Sequence, residues 1–153
     1  MFLWLIPVPG WWHFEWHTQK AIFRLYGNWL LTPLAFKMGR TPAHIDKTSK
    51  VKNFRSTDEF LVNFTTASLK YFNSLIDESG CADMPAFLEH IHRNSNFYDV
   101  GYLTFYTLVP YVQMCSAVRL GDWRKFESLL PVWLQLFVAS DKTKYRSLIL
   151  SWT

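Results

Sequence analysis

Residues 56–80 constrain the fold more than any other stretch. Ser56 is followed three residues later by Glu59, the spacing of a capping box, and Asp58 adds negative charge to the same turn. Phe60, Phe64, Ala67, Tyr71 and Leu75 then recur every three or four residues, and Gly80 follows. That period predicts a long amphipathic helix with one apolar face and a glycine stop. Such a helix needs other apolar elements against it, and the rest of the chain supplies helical patterns for the purpose.

Phe14, Ile22, Leu25 and Trp29 repeat at helical spacing from about His13 onward, with Gly27 and Pro33 expected to divide that region into two pieces. Asp83 before Met84-Pro85 reads as a helix N-cap opening a short helix through His92. Asn96 or Asp99 is expected to open an apolar helix running to Leu120, kinked or divided at Pro110 and stopped at Gly121. Asp122 caps the next helix, interrupted by Pro131, and Ser140 or Asp141 starts the last one. Only residues 2–8, before Pro-Val-Pro-Gly, carry a strand-like alternation. The expected fold is mainly α: an irregular bundle of about six helices, with one short N-terminal strand. A lone strand cannot satisfy its own backbone groups, so its sheet would lie in other sequence.

At 153 residues the chain has the length of one domain. Half of it is apolar and 18% is aromatic, whereas only 18% is charged, below the usual quarter or so. A rich interior under a lean surface suggests that some of that surface belongs against another body. "FLWLIPVPG" is far too short to span a bilayer and lacks the features of a signal peptide, so an intracellular protein with no membrane partner is expected. Cys81 and Cys115 have no metal-site or redox spacing and read as two reduced thiols.

The densest candidate chemistry is "PGWWHFEWHTQKAIF" at residues 9–23. His13 and His17 are four apart and share a helix face, the geometry of a two-histidine metal site. The metalloprotease pattern, however, needs its glutamate directly after the first histidine. Glu15 sits two after His13, on the far side of the helix. An aromatic helix start is the stronger reading, and neither a metal nor any other cofactor is expected. His90 and His92 are two apart and point to different faces. The acids Asp58, Glu59, Asp83, Asp99, Asp122 and Asp141 cluster at expected helix starts, where capping explains them without catalysis. No phosphate loop, nucleophile elbow or Cys-His zinc pattern occurs.

Charge is less evenly spread. Residues 37–55 have no period and read as a loop, with six bases (Lys37, Arg40, Lys47, Lys50, Lys52 and Arg55) against one acid, Asp46, a net +5. The whole chain is only +4, so the remainder sums to −1. A basic mobile loop suits contact with phosphates. An ordinary solvated loop would have the same composition.

The N-terminal stretch resembles a segment of transposon-derived proteins that carry an uncharacterised domain of unknown function on an RNase H-like core. The likeness rests on Pro9, Gly10, Trp12, His13 and Glu15, followed by Lys20, Ala21, Ile22 and Phe23. It continues in Arg119, Gly121-Asp122-Trp123, Phe126, Leu134, Phe137, Ala139 and Tyr145. The resemblance implies that the strand at 2–8 belongs to an incomplete RNase H-like core followed by a helical insertion. Gly10, Trp12, His13 and Glu15 would then form a strand-to-helix junction, with Trp11 and Trp12 packed on a core. The family's catalytic acids match no position here, so no activity of cutting or joining DNA is expected of this chain alone.

Three functions follow as expectations. The first is the helical part of a transposase-like protein, contacting DNA backbone or itself and nuclear if the resemblance holds. The second is a free-standing helical module that binds a protein partner. The third is a small metal-dependent hydrolase built on His13 and His17.

Overall fold

The computed structural model describes residues 10–94 and 97–151. The strand expected over residues 2–8 lies outside them, as does Asn96. Among the described residues there is no strand, and the mainly α expectation holds.

Helix α1 spans Trp11–Tyr26. It runs without a break through a π-helical turn at Gly27–Leu31 into α2, Thr32–Lys37. Sequence alone puts a break at Gly27 and Pro33; the structure replaces it with a change of hydrogen-bond register. The Thr32 N–H donates to the Gly27 carbonyl five residues back. That longer loop of backbone leaves room for Pro33, which has no N–H and would crowd the carbonyl four residues before it. The same device recurs before Pro110. Helix α6 (Tyr98–Leu103) passes through a π turn at Thr104–Leu108 into α7 (Val109–Leu120), and the Val109 N–H donates to Thr104.

Residues 40–52 are not the expected loop. Helix α3 forms over Pro42–Ser49. The Thr41 side chain caps it, accepting from the His44 N–H, and Pro42 sits where a missing N–H costs nothing. Ile45 and Thr48 are its buried positions, and Val51, in the turn just after it, is buried as well, each three residues from the last. Three inward side chains in a basic stretch are too few to register as a period.

Helix α4, Phe54–Ser79, starts before the expected capping box. Asn53 is the true cap, accepting from the Ser56 N–H at 3.1 Å, so Ser56 lies inside the helix. The buried stripe runs through Thr57, Phe60, Leu61, Phe64, Thr65, Ser68 and Phe72. Ala67 and Tyr71, expected on that face, are exposed. Buried threonines are tolerated because each hydroxyl donates back along the helix, as Thr65 does to the Leu61 carbonyl. Gly80 ends α4 at φ +65° and Gly121 ends α7 at φ +67°, both conformations that glycine adopts without strain.

Helix α5 covers Met84–Asn94, capped by Asp83 through the Ala86 N–H. Helix α8 covers Trp123–Ala139, capped by Asp122 through the Lys125 N–H. It carries Pro131 in its middle without interruption. The last helix, α9, begins at Thr143, later than expected, and ends at Leu150. Counting α1–α2 and α6–α7 as continuous rods, the described residues make seven helical rods, the expected set plus α3.

Helix α8 packs on α7, α9 and α1, while α4 crosses the second π turn. The main core joins Phe14, Ile22, Phe60, Tyr111, Phe126, Trp133 and Phe137. A smaller core of Phe72, Phe87, Leu88 and Ile91 lies between the far half of α4 and α5. No helix among the described residues is long and apolar enough to cross a membrane.

Candidate functional site

Helix α1 carries most of the molecule's polar chemistry, on two opposite faces. Its inward face holds Glu15 and Gln19 one turn apart, both buried. The Gln19 amide donates to the Tyr111 hydroxyl at 2.8 Å and to the Phe54 carbonyl at 3.3 Å. Tyr111 donates onward to Asp58 Oδ1 at 2.7 Å, and the Arg119 guanidinium holds Asp58 Oδ2 at 3.1 Å. The Cys115 thiol lies close enough to Glu15 for each to influence the other's charge. The cluster ties α1, α4 and α7 together.

Burial raises the Glu15 carboxyl above its ordinary value; Arg119 opposes the shift and Asp58 adds to it. Burial likewise pushes up the Tyr111 phenol and the Cys115 thiol. Glu15, Tyr111 and Cys115 are thus all held toward their neutral forms, while Asp58 accepts hydrogen bonds from Tyr111 and Arg119. The arrangement is that of an internal clamp. Glu15 was expected as a polar contact at the helix start and is instead buried. Gln19, Tyr111, Cys115 and Arg119 were not singled out for it. A signal existed: Glu15 and Gln19 interrupt the apolar face of Phe14 and Ile22.

The outward face is different in kind. Trp12 is 48% exposed, with its ring 5.0 Å from Trp16 and 5.8 Å from Phe54. It therefore does not fill the core as expected, whereas Trp11 does, edge-on to Trp123 at 4.6 Å. His13 lies against the Trp12 ring at 4.9 Å. Trp16 donates to the Val51 carbonyl at 3.0 Å, which fixes α1 to the end of α3. Lys20 Nζ sits 3.7 Å over the Trp16 ring. His17 lies 4.4 Å from the Tyr145 ring, and Arg24 reaches Asp141 at 3.9 Å. Gly10 precedes the helix as an exposed, uncapped start.

His17 is held down to about 4, first by burial and then by Lys20, Lys142 and His13. Burial also lowers Lys142, with Arg24 and Lys20 adding to the effect. Several cations thus crowd one region. A hollow of about 220 Å³ opens there, lined by His17, Asp141, Lys142, Thr143, Lys144 and Tyr145. His13 and His17 gain no third ligand: among the described residues no group of three His, Cys, Asp or Glu side chains could hold a metal ion.

The six bases of residues 37–55 are spread along the α2–α3–α4 edge. Lys50 and Lys52 both pair with Asp46, the latter at 3.5 Å. Arg40 lies 4.9 Å over the Phe60 ring. Lys37, Lys47 and Arg55 are exposed and join no ion pair among the described residues. The segment's free charge is therefore smaller than its composition suggests.

No family model, curated protein or solved structure matches the chain. The reading of its function rests on the residues themselves.

Proposed function

We propose that the chain is the helical, non-catalytic part of a transposase-like protein and that it contacts nucleic-acid backbone through the α2–α4 edge. One observation carries the contact: residues 37–55 hold a net +5 in a chain of +4, and Lys37, Lys47 and Arg55 stand exposed with no carboxylate partner among the described residues. The likeness of residues 9–23 to transposon-derived proteins supplies the parent class, and a nuclear location follows from it. The buried cluster of Glu15, Asp58 and Tyr111 serves as scaffold in this reading.

The test is a titration of labelled duplex at two salt concentrations with wild type and the Lys37→Gln/Lys47→Gln/Arg55→Gln variant. Binding indifferent to sequence is expected, and the variant should flatten the slope of log affinity against log salt by about three units. Equal affinity and equal slope in the two proteins would remove this edge from any account of nucleic-acid binding.

A second reading, a helical module that docks on a protein or on its own copy, is favoured by a different observation. Leu25, Tyr26, Tyr102, Tyr106 and Val132 line an open hollow of about 210 Å³ between α1, α6 and α8. Tyr102 and Tyr106 are 43% and 44% exposed with rings 4.9 Å apart. Exposed aromatic clusters of this kind mark contact surfaces.

A further inference from the structure

We infer that the outward face of α1, continued by the α8–α9 turn, is a track for single-stranded nucleic acid, with Trp12 as the base-stacking platform. The inference rests on the nucleic-acid reading above but moves the main contact from the α2–α4 edge to α1. It also names the form of ligand.

The argument begins with helical spacing. Positions 13, 17, 20 and 24 lie on one face of α1, opposite Glu15 and Gln19, and positions 12 and 16 border it. The chain places Trp12, His13, Trp16, His17, Lys20 and Arg24 at those positions, so rings fill the first half of the stripe and cations the second. At 1.5 Å per residue the stripe from Trp12 to Arg24 is about 18 Å long, enough for a few nucleotides. Helix α9 then brings Lys142 beside Lys20 and Arg24, so the positive charge does not end with α1.

Geometry favours unpaired bases over a duplex. Trp12 is 48% exposed, with the rings of His13, Trp16 and Phe54 packed around it at 4.9, 5.0 and 5.8 Å, so a base can reach an aromatic side chain that its neighbours hold in place. A stacked duplex hides its base faces; a single strand offers them. Lys20 is fixed over Trp16, so a phosphate next to a base stacked on Trp12 meets a cation already in place. At the far end, the hollow beside His17 lies at the start of α9, which has no side-chain cap. Its first-turn N–H groups add to the field of Lys142. Asp141 is the opposing charge. Its contact with Arg24 is long, at 3.9 Å, and exposed on both sides, so a phosphate can displace it at little cost.

The experiment compares one labelled oligonucleotide as a single strand and as a duplex. The proteins are wild type, Trp12→Ala, Trp12→Phe, Lys20→Gln/Lys142→Gln and the Lys37→Gln/Lys47→Gln/Arg55→Gln variant. Circular dichroism verifies that each is helical. Wild type should bind the single strand more tightly than the duplex, with quenching of tryptophan fluorescence. Trp12→Ala should weaken single-strand binding about 5- to 150-fold, and Trp12→Phe should recover much of it, because stacking needs a ring. The double lysine variant should flatten the single-strand salt slope by about 1.4 units.

Equal affinity for the two forms, or an unchanged affinity in Trp12→Ala, overturns the track. If only the variant at 37, 47 and 55 loses binding, the edge reading stands and this one fails. If only the α1 variants lose it, this one stands and the edge reading fails. Competition by polyglutamate as effective as by the unlabelled strand would also overturn it, because a general anion surface has no use for Trp12.

Discussion

His17 shows how a single side chain is set by what lies around it. Its ring packs on Tyr145, its Nδ1 is buried without a hydrogen-bond partner, and Lys20, Lys142 and His13 surround it. Burial and the neighbouring cations lower it from 6.5 to about 4. In the unfolded chain it protonates first as pH falls, so the unfolded state binds more protons between those values. Stability contributed by neutral His17 is thus complete above about 6.5 and is lost as pH drops toward 4. Glu15, held above its ordinary value, acts in the opposite sense: its contribution is lost as pH rises. Comparing wild type with His17→Phe cancels the Glu15 part. Urea unfolding should show that wild type loses more stability than His17→Phe between pH 7 and pH 5. Parallel pH profiles would mean that His17 is solvated and titrates normally.

At the level of elements, three prolines lie inside helical rods and meet different fates. Pro33 and Pro110 each follow a π turn, and each sits in the first turn of the α segment after it, where its missing N–H matters least. Pro131 has no such turn; it leaves α8 continuous but removes one N–H donor from its ladder, on an exposed face. A proline in a regular helix interior costs about 3 kcal/mol. Pro131→Ala should therefore stabilise the protein, by about 1–3 kcal/mol in thermal or urea unfolding. Pro33→Ala should change it by less than about 1 kcal/mol, since the π turn has already removed the clash. A larger gain from Pro33→Ala than from Pro131→Ala would show that the π turn is strained rather than relieving.

For the whole molecule, the question is where apolar surface remains after the cores are filled. Trp12, Trp29, Phe36, Tyr102, Tyr106 and Leu120 all stay exposed, Leu120 at 79%. The net positive charge is concentrated in residues 37–55, and no charged residue lines the Tyr102–Tyr106 hollow. Apolar patches lacking charge promote association. Sizing or sedimentation over a range of concentrations should show the isolated chain self-associating, and Tyr102→Glu/Tyr106→Glu should suppress it. A wild-type monomer at every concentration would remove this hollow as a contact surface.

Helical class was legible in the sequence because caps and 3.6-residue periods are local. Asp83, Gly80, Gly121 and Asp122 act where their chemistry says they should. The outer face of α1 was half legible: spacing puts His13 and His17 together, but not Lys142, which arrives from another helix. Three things needed tertiary structure. Helix α3 forms because Ile45, Thr48 and Val51 find a core, too few contacts to leave a pattern. The register change at Pro33 and Pro110 depends on neighbours that hold each rod together where propensity predicts a break. The clamp of Gln19, Asp58, Tyr111 and Arg119 joins residues up to 92 positions apart. Side chains so distant in sequence meet only when three helices pack, and the low dielectric of that packing makes their mutual hydrogen bonds matter.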